Sequence, residues 1–185
     1  KRLFILITFS CLLFLQGSFA QVDLQAPLPQ DPNIVTGKLP NGIVYYLRHN
    51  EEPKGRASFY IIRNAGALLE NDEQDGLAHF LEHMVFNGST HFKRGEMIPA
   101  MQKEGLGLGG DANAYTAFDE TVYMMDVPSM KESTVDLAFT IMRDFADGAL
   151  LEKSAIDAER GIITSEYKVL SLIHISEPTR HSLIS

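Results

Sequence analysis

The chain has 185 residues, 45% of them hydrophobic, with 16 basic side chains against 24 acidic ones and a formal charge of −8. That composition fits a globular unit with a buried core, and it leaves no Lys/Arg stripe to neutralise nucleic-acid phosphates. Cys11 is the only cysteine and lies in an N-terminal apolar run, which excludes a disulfide framework and any cysteine-based metal site.

The opening, "KRLFILITFSCLLFLQGSFAQ", has the pattern of an export signal. Lys1 and Arg2 form a basic start, Leu3 to Leu15 an apolar segment, and Ser18-Phe19-Ala20 a small-x-small cleavage site. The apolar segment is too short to cross a bilayer as a helix, which takes about 20 residues. Residues 1–20 are therefore expected to be a cleaved signal peptide, with the remainder exported to the periplasm. Residues 21–35 are Pro-rich and polar, an extended lead-in.

In "TGKLPNGIVYYLRHN", Asn41-Gly42 between two short runs signals a hairpin. "RASFYIIRNAG" predicts a strand over residues 57–63. An acidic loop follows, with Asp75 as the expected N-cap of a helix that starts at Gly76, reaches about Phe86 and stops at Asn87-Gly88. "KRGEMIPAMQKEG" predicts a short helix, and the β-branched and aromatic "NAYTAFDETVYMMDVP" predicts strands. Val135, Leu137, Ala138, Ile141, Met142 and Phe145 form a helical stripe within residues 130–145. A last helix is expected from Glu152. Helices and strands mix without strict alternation, which predicts an α+β fold, a mixed sheet packed with helices. The end of the chain reads differently. "LSLIHISEPTR", Leu170 to Arg180, resembles the translation of a transposon-type sequencing adapter, so residues 170–185 are expected to be foreign and the natural sequence to run on past Val169.

Three polar residues interrupt the apolar stretch "GLAHFLEHMVFNGST". On a helix His83 lies about 40° from His79, and Glu82 about 60° to the other side, so the three share one face. The neighbours Leu77, Ala78, Phe80, Leu81, Met84, Val85 and Phe86 predict a helix buried nearly all round. Burying two imidazoles and a carboxylate there without partners would cost several kcal/mol. A divalent metal taking both imidazoles removes that cost. The order His-x-x-Glu-His belongs to zinc-hydrolase motifs, with Glu82 as the expected base toward a water attacking a carbonyl. A zinc ion needs a further protein ligand. Glu152, Glu159 and Glu166, at steps of seven on one face of the last helix, are the candidates, and spacing alone does not choose among them.

Together "GLAHFLEHMVFNGST", "DANAYTAFDETVY" and "EKSAIDAERGIITSEY" resemble the pitrilysin/insulinase family of metallopeptidases, which includes the mitochondrial processing peptidase. The resemblance covers residues 36–169 and implies that family's metallohydrolase fold, a zinc cofactor and endopeptidase activity on peptides or small unfolded proteins. Matched residue by residue, it implies zinc ligation by His79, His83 and Glu159, catalysis by Glu82, a supporting role for Glu152, and pairing of Asn113 and Ala114 with the backbone of an extended peptide substrate. Family enzymes close a chamber with a second, related half that has no counterpart here, so residues 36–169 are expected to be a truncated catalytic domain completed by that half or by a partner subunit. The alternative reading is a non-catalytic family member acting as a peptide-binding or structural subunit.

Two further signals are set aside. "GLGLGG", residues 105–110, follows a predicted helix and precedes a strand, the reverse of a dinucleotide-binding context. Asn87-Gly88-Ser89 matches the glycosylation triplet but abuts the metal-binding helix, and His91 has no partner at ligand spacing.

Overall fold

A computed structural model describes the backbone over residues 30–181 and the side chains over residues 30–169. The segment expected to be a signal peptide, most of the lead-in and the side chains of the adapter-like tail lie outside the described residues. The chain divides into two compact units, the first ending at Asn50 and the second beginning at Glu51.

The first unit contains a hairpin of β1 (Ile34–Lys38) and β2 (Val44–Arg48), antiparallel with Lys38 opposite Val44. Its connection is the expected Asn41-Gly42 turn: Gly42 takes φ +95°, and the Asn41 side chain accepts a hydrogen bond from the Ile43 N–H.

The second unit is built on a three-stranded antiparallel sheet in the order β3 (Ala57–Arg63), β5 (Thr121–Val127), β4 (Ala112–Thr116). Side chains alternate between faces along each strand. Register places Phe59 opposite Met125 and Met125 opposite Ala112, then Ile61 opposite Tyr123 and Tyr123 opposite Ala114. This face holds the core. It packs against α2 (Met97–Lys103) through Met97 and Met101, and against α3 (Glu132–Asp147) through Ala138, Ile141, Met142 and Phe145. Phe145 stacks tilted on Tyr123, with centroids 5.1 Å apart, and edge-on to Phe86 at 4.9 Å. The opposite face leaves Tyr60 and Ile62 exposed. The α+β class is as expected.

Two more helices complete the unit, α1 (Leu77–Met84) and α4 (Lys153–His181). α1 touches α4, β4 and β5. The glycine-rich segment 105–110 is a loop from α2 to β4, helix before and strand after. No helix among the described residues is long and apolar enough to cross a membrane.

Two local expectations change. Asp75 is not the N-cap of α1. Gly76 holds that place at φ +82°, a left-handed conformation open to glycine, and the cap comes from Glu70, whose carboxylate accepts from the Gly76 N–H at 2.8 Å and the Ala78 N–H at 2.6 Å. Nor is α1 buried all round: Met84 is its only fully buried residue and Leu77 is exposed. The strands and α4 cover two sides of this helix.

Candidate metal centre

α1 presents His79 and His83 from successive turns, with ring planes at 89° and centroids 4.8 Å apart. Their Nε2 atoms approach to 3.2 Å. The third group at this point is Glu166 of α4. One of its oxygens lies 3.4 Å from His83 Nε2 and the other 3.8 Å from His79 Nε2. Ligand atoms of His79, His83 and Glu166 all fall within 4.8 Å of one another.

Glu159 sits on the other side of His83. Its Oε1 is 2.8 Å from Nδ1, and the residue is only 4% exposed. A carboxylate there accepts the Nδ1 hydrogen, which leaves the Nε2 lone pair of the neutral ring facing His79 and Glu166. This is the usual arrangement of a metal-binding histidine, with the ring oriented by a carboxylate on its far nitrogen.

The antiparallel run of α4 past α1 explains the placement. Glu159 lies beside His83 and Asn87, and Glu166, two turns further on, lies beside His83 and His79. Glu152, two turns earlier, falls about 10 Å along the axis from Glu159. It is exposed and borders a shallow hollow with Gly88, Lys93, Arg94 and Leu150. Of the three glutamates, the structure brings Glu166 to the paired nitrogens and Glu159 to the back of His83, while Glu152 does not join them.

The donor set fits a zinc ion. Two nitrogens bound to one tetrahedral zinc at about 2.0–2.1 Å would be about 3.3–3.4 Å apart, close to the 3.2 Å between the imidazoles. Two imidazoles and a carboxylate are also a frequent ligand set of catalytic zinc.

Glu82 shares the face of α1 but points toward the sheet, where Thr116 Oγ1 donates to its Oε2 at 2.6 Å. Thr116 ends β4, an edge strand among the described residues. Asn113 and Ala114 lie in the same strand, Asn113 exposed and Ala114 half-buried. The Ala114 N–H donates to the Asn113 side-chain oxygen at 2.9 Å, so its hydrogen-bonding edge is covered by a side chain and not by another strand.

Sequence reasoning missed Glu70, Asn87 and Thr116 as supports of this site. It also missed the partner of His91: Asp144 Oδ1 lies 2.7 Å from His91 Nδ1, across 53 residues. Only Asn87 carried a signal, as a polar residue ending an otherwise apolar helix.

Comparison with known proteins places these residues in a family. The model for insulinase, peptidase family M16, matches residues 45–183. An Escherichia coli protein described as "Probable zinc protease PqqL" is 36% identical over 168 residues, covering 91% of this chain and 18% of that protein. Its namesake from Haemophilus influenzae is 38% identical over 141 residues, covering 76% of this chain and 15% of that protein. The chain thus spans less than a fifth of the length of either. The crystal structure of the first half of the periplasmic protease PqqL from Escherichia coli superimposes with a TM-score of 0.75 at 38% identity, over 78% of this chain and 31% of that one.

Proposed function

The chain belongs to the insulinase family, peptidase family M16, and from that premise we propose that it carries the metal-binding part of an exported zinc endopeptidase acting on peptides or small unfolded proteins. The carrying observation is the convergence of His79 Nε2, His83 Nε2 and the Glu166 carboxylate, with Glu82 on the same helix face. In this reading His79, His83 and Glu166 hold the zinc, and Glu159 orients His83. Bound zinc would supply Lewis-acid polarisation of the scissile carbonyl and of the attacking water.

The remaining chemistry belongs to side chains of this chain. Glu82 takes a proton from the attacking water and delivers it to the leaving amine, and Thr116 holds one carboxylate oxygen so that the other is free for that transfer. An extended peptide adds to the edge of β4 at Ala114, displacing the Asn113 side chain from the Ala114 N–H. Thr116 ties that edge to Glu82, so a peptide lying along β4 passes beside the base. The relatives are several times longer, and we assign closure of a chamber over this edge to the rest of such a chain or to a partner subunit. The periplasm, where PqqL is described, agrees with the export signal read in residues 1–20.

The test is the full-length protein with Glu82→Gln. Zinc content should stay at the wild-type level while hydrolysis of an unstructured peptide falls by about 10²-fold or more. Wild-type hydrolysis by this variant would overturn the mechanism. A non-catalytic subunit would bind peptide and zinc with no hydrolysis in the wild type either.

A further inference from the structure

Asn87 follows α1 directly, and its side chain reaches back into the site. Nδ2 donates to Glu159 Oε2 at 2.8 Å and to the His83 carbonyl at 3.2 Å. An amide nitrogen has two hydrogens, so both are engaged. The Glu159 carboxylate then has one donor on each oxygen, His83 Nδ1 on Oε1 and Asn87 Nδ2 on Oε2. Because Glu159 is almost fully buried, neither donor has a solvent substitute.

We propose that Asn87 is a positioning residue for metal binding: its amide pins Glu159 against His83 Nδ1 and so fixes the direction in which His83 Nε2 offers its lone pair. This rests on the zinc-site reading above. Without the amide, Oε2 is a buried acceptor with no partner, and the carboxylate is no longer held in place against His83 Nδ1.

Asn87 is itself held from several sides. Its N–H donates to the Met84 carbonyl at 3.0 Å, the Gly88 carbonyl accepts from the Leu150 N–H at 3.1 Å, and the Thr90 N–H donates to the Gly148 carbonyl at 2.9 Å. Ser89 Oγ donates to the buried Asp144 at 2.5 Å. The turn after α1 is therefore fastened to the end of α3 and to the segment entering α4, the helix that carries Glu159. The same contacts shield the Asn87-Gly88-Ser89 triplet in the folded chain: the Asn87 amide is engaged and Ser89 is 2% exposed.

The test measures zinc affinity of the full-length protein by competition with a chromophoric chelator, with thermal midpoints recorded on the zinc-free forms. Asn87→Ala should weaken zinc binding about tenfold or more. In a Glu159→Gln background the same change should cost less than threefold, because the contact it removes is already broken. Should Asn87→Ala fail to fold, N87D and the pair N87D/E159Q read the same contact. N87D sets two carboxylates against each other and should lose affinity, and the pair, which restores one donor and one acceptor, should recover part of it. Unchanged affinity in Asn87→Ala, with or without a lower midpoint, overturns the proposal, as does an equal loss in the two backgrounds or no recovery in the pair. Zinc binding that is absent in the wild type, or indifferent to Glu166→Gln, overturns the underlying zinc-site reading and the proposal with it.

Discussion

Thr116 donates its hydroxyl to the Glu82 carboxylate at 2.6 Å, joining the last residue of β4 to α1, the helix of His79 and His83. A carboxylate held on one oxygen keeps the other in a defined direction, as proton transfer requires. Thr116→Val should lower kcat about tenfold or more and leave zinc affinity at the wild-type value, while Thr116→Ser should keep most of the activity. Equal kcat for the valine variant would remove Thr116 from the mechanism.

Glu70 caps α1 through the Gly76 and Ala78 amides. Replacing an N-terminal cap costs about 1 kcal/mol. Glu70→Ala should therefore raise the hydrogen-exchange rates of the α1 amides by about fivefold, leaving those of α3 unchanged. Uniform exchange across both helices would show that the cap does not act locally.

Asp144 is buried, which alone would raise its pKa. The hydrogen bonds from the Ser89 hydroxyl, the His91 ring and the His91 backbone outweigh that and hold it below its ordinary 3.8. A carboxyl with a lower pKa folded than unfolded stabilises the fold fully above its unfolded value, and that contribution is lost as the pH falls through the folded value. The stability gap between the wild type and Asp144→Asn should thus shrink as the pH falls below about 4. Glu104 and Asp31 are also lowered, but both proteins share them, so the difference isolates Asp144. A gap that widens in acid would contradict this account, and thermal midpoints across a pH series measure it.

The local elements were legible because their signals are local. The run "ASFYIIR" before turn residues gave β3, the apolar stripe gave α3, and the i, i+3, i+4 spacing placed His79, Glu82 and His83 on one face. The misses all depend on how elements meet. Asp75 had the right chemistry for a cap, but a left-handed Gly76 and a carboxylate six residues away took its place. α1 looked buried from its composition, whereas Met84 is its only fully buried residue and Leu77 is exposed. Glu152, Glu159 and Glu166 repeat every seven residues, so pattern gives them one face but no axial offset against α1. Matching by resemblance put zinc on Glu159; the packing sets that residue behind His83 and Glu166 in front. His91 and Asn87 found partners 53 and 72 residues away, beyond any spacing rule.

The most direct test of the metal centre is the zinc stoichiometry of the full-length protein after dialysis against a weak chelator, compared among the wild type, Glu166→Gln and Glu159→Gln. The geometry predicts one zinc per chain in the wild type, loss of that zinc in Glu166→Gln, and retention with weakened affinity in Glu159→Gln. Full zinc in Glu166→Gln together with none in Glu159→Gln would return the ligand role to Glu159 and contradict the site described here.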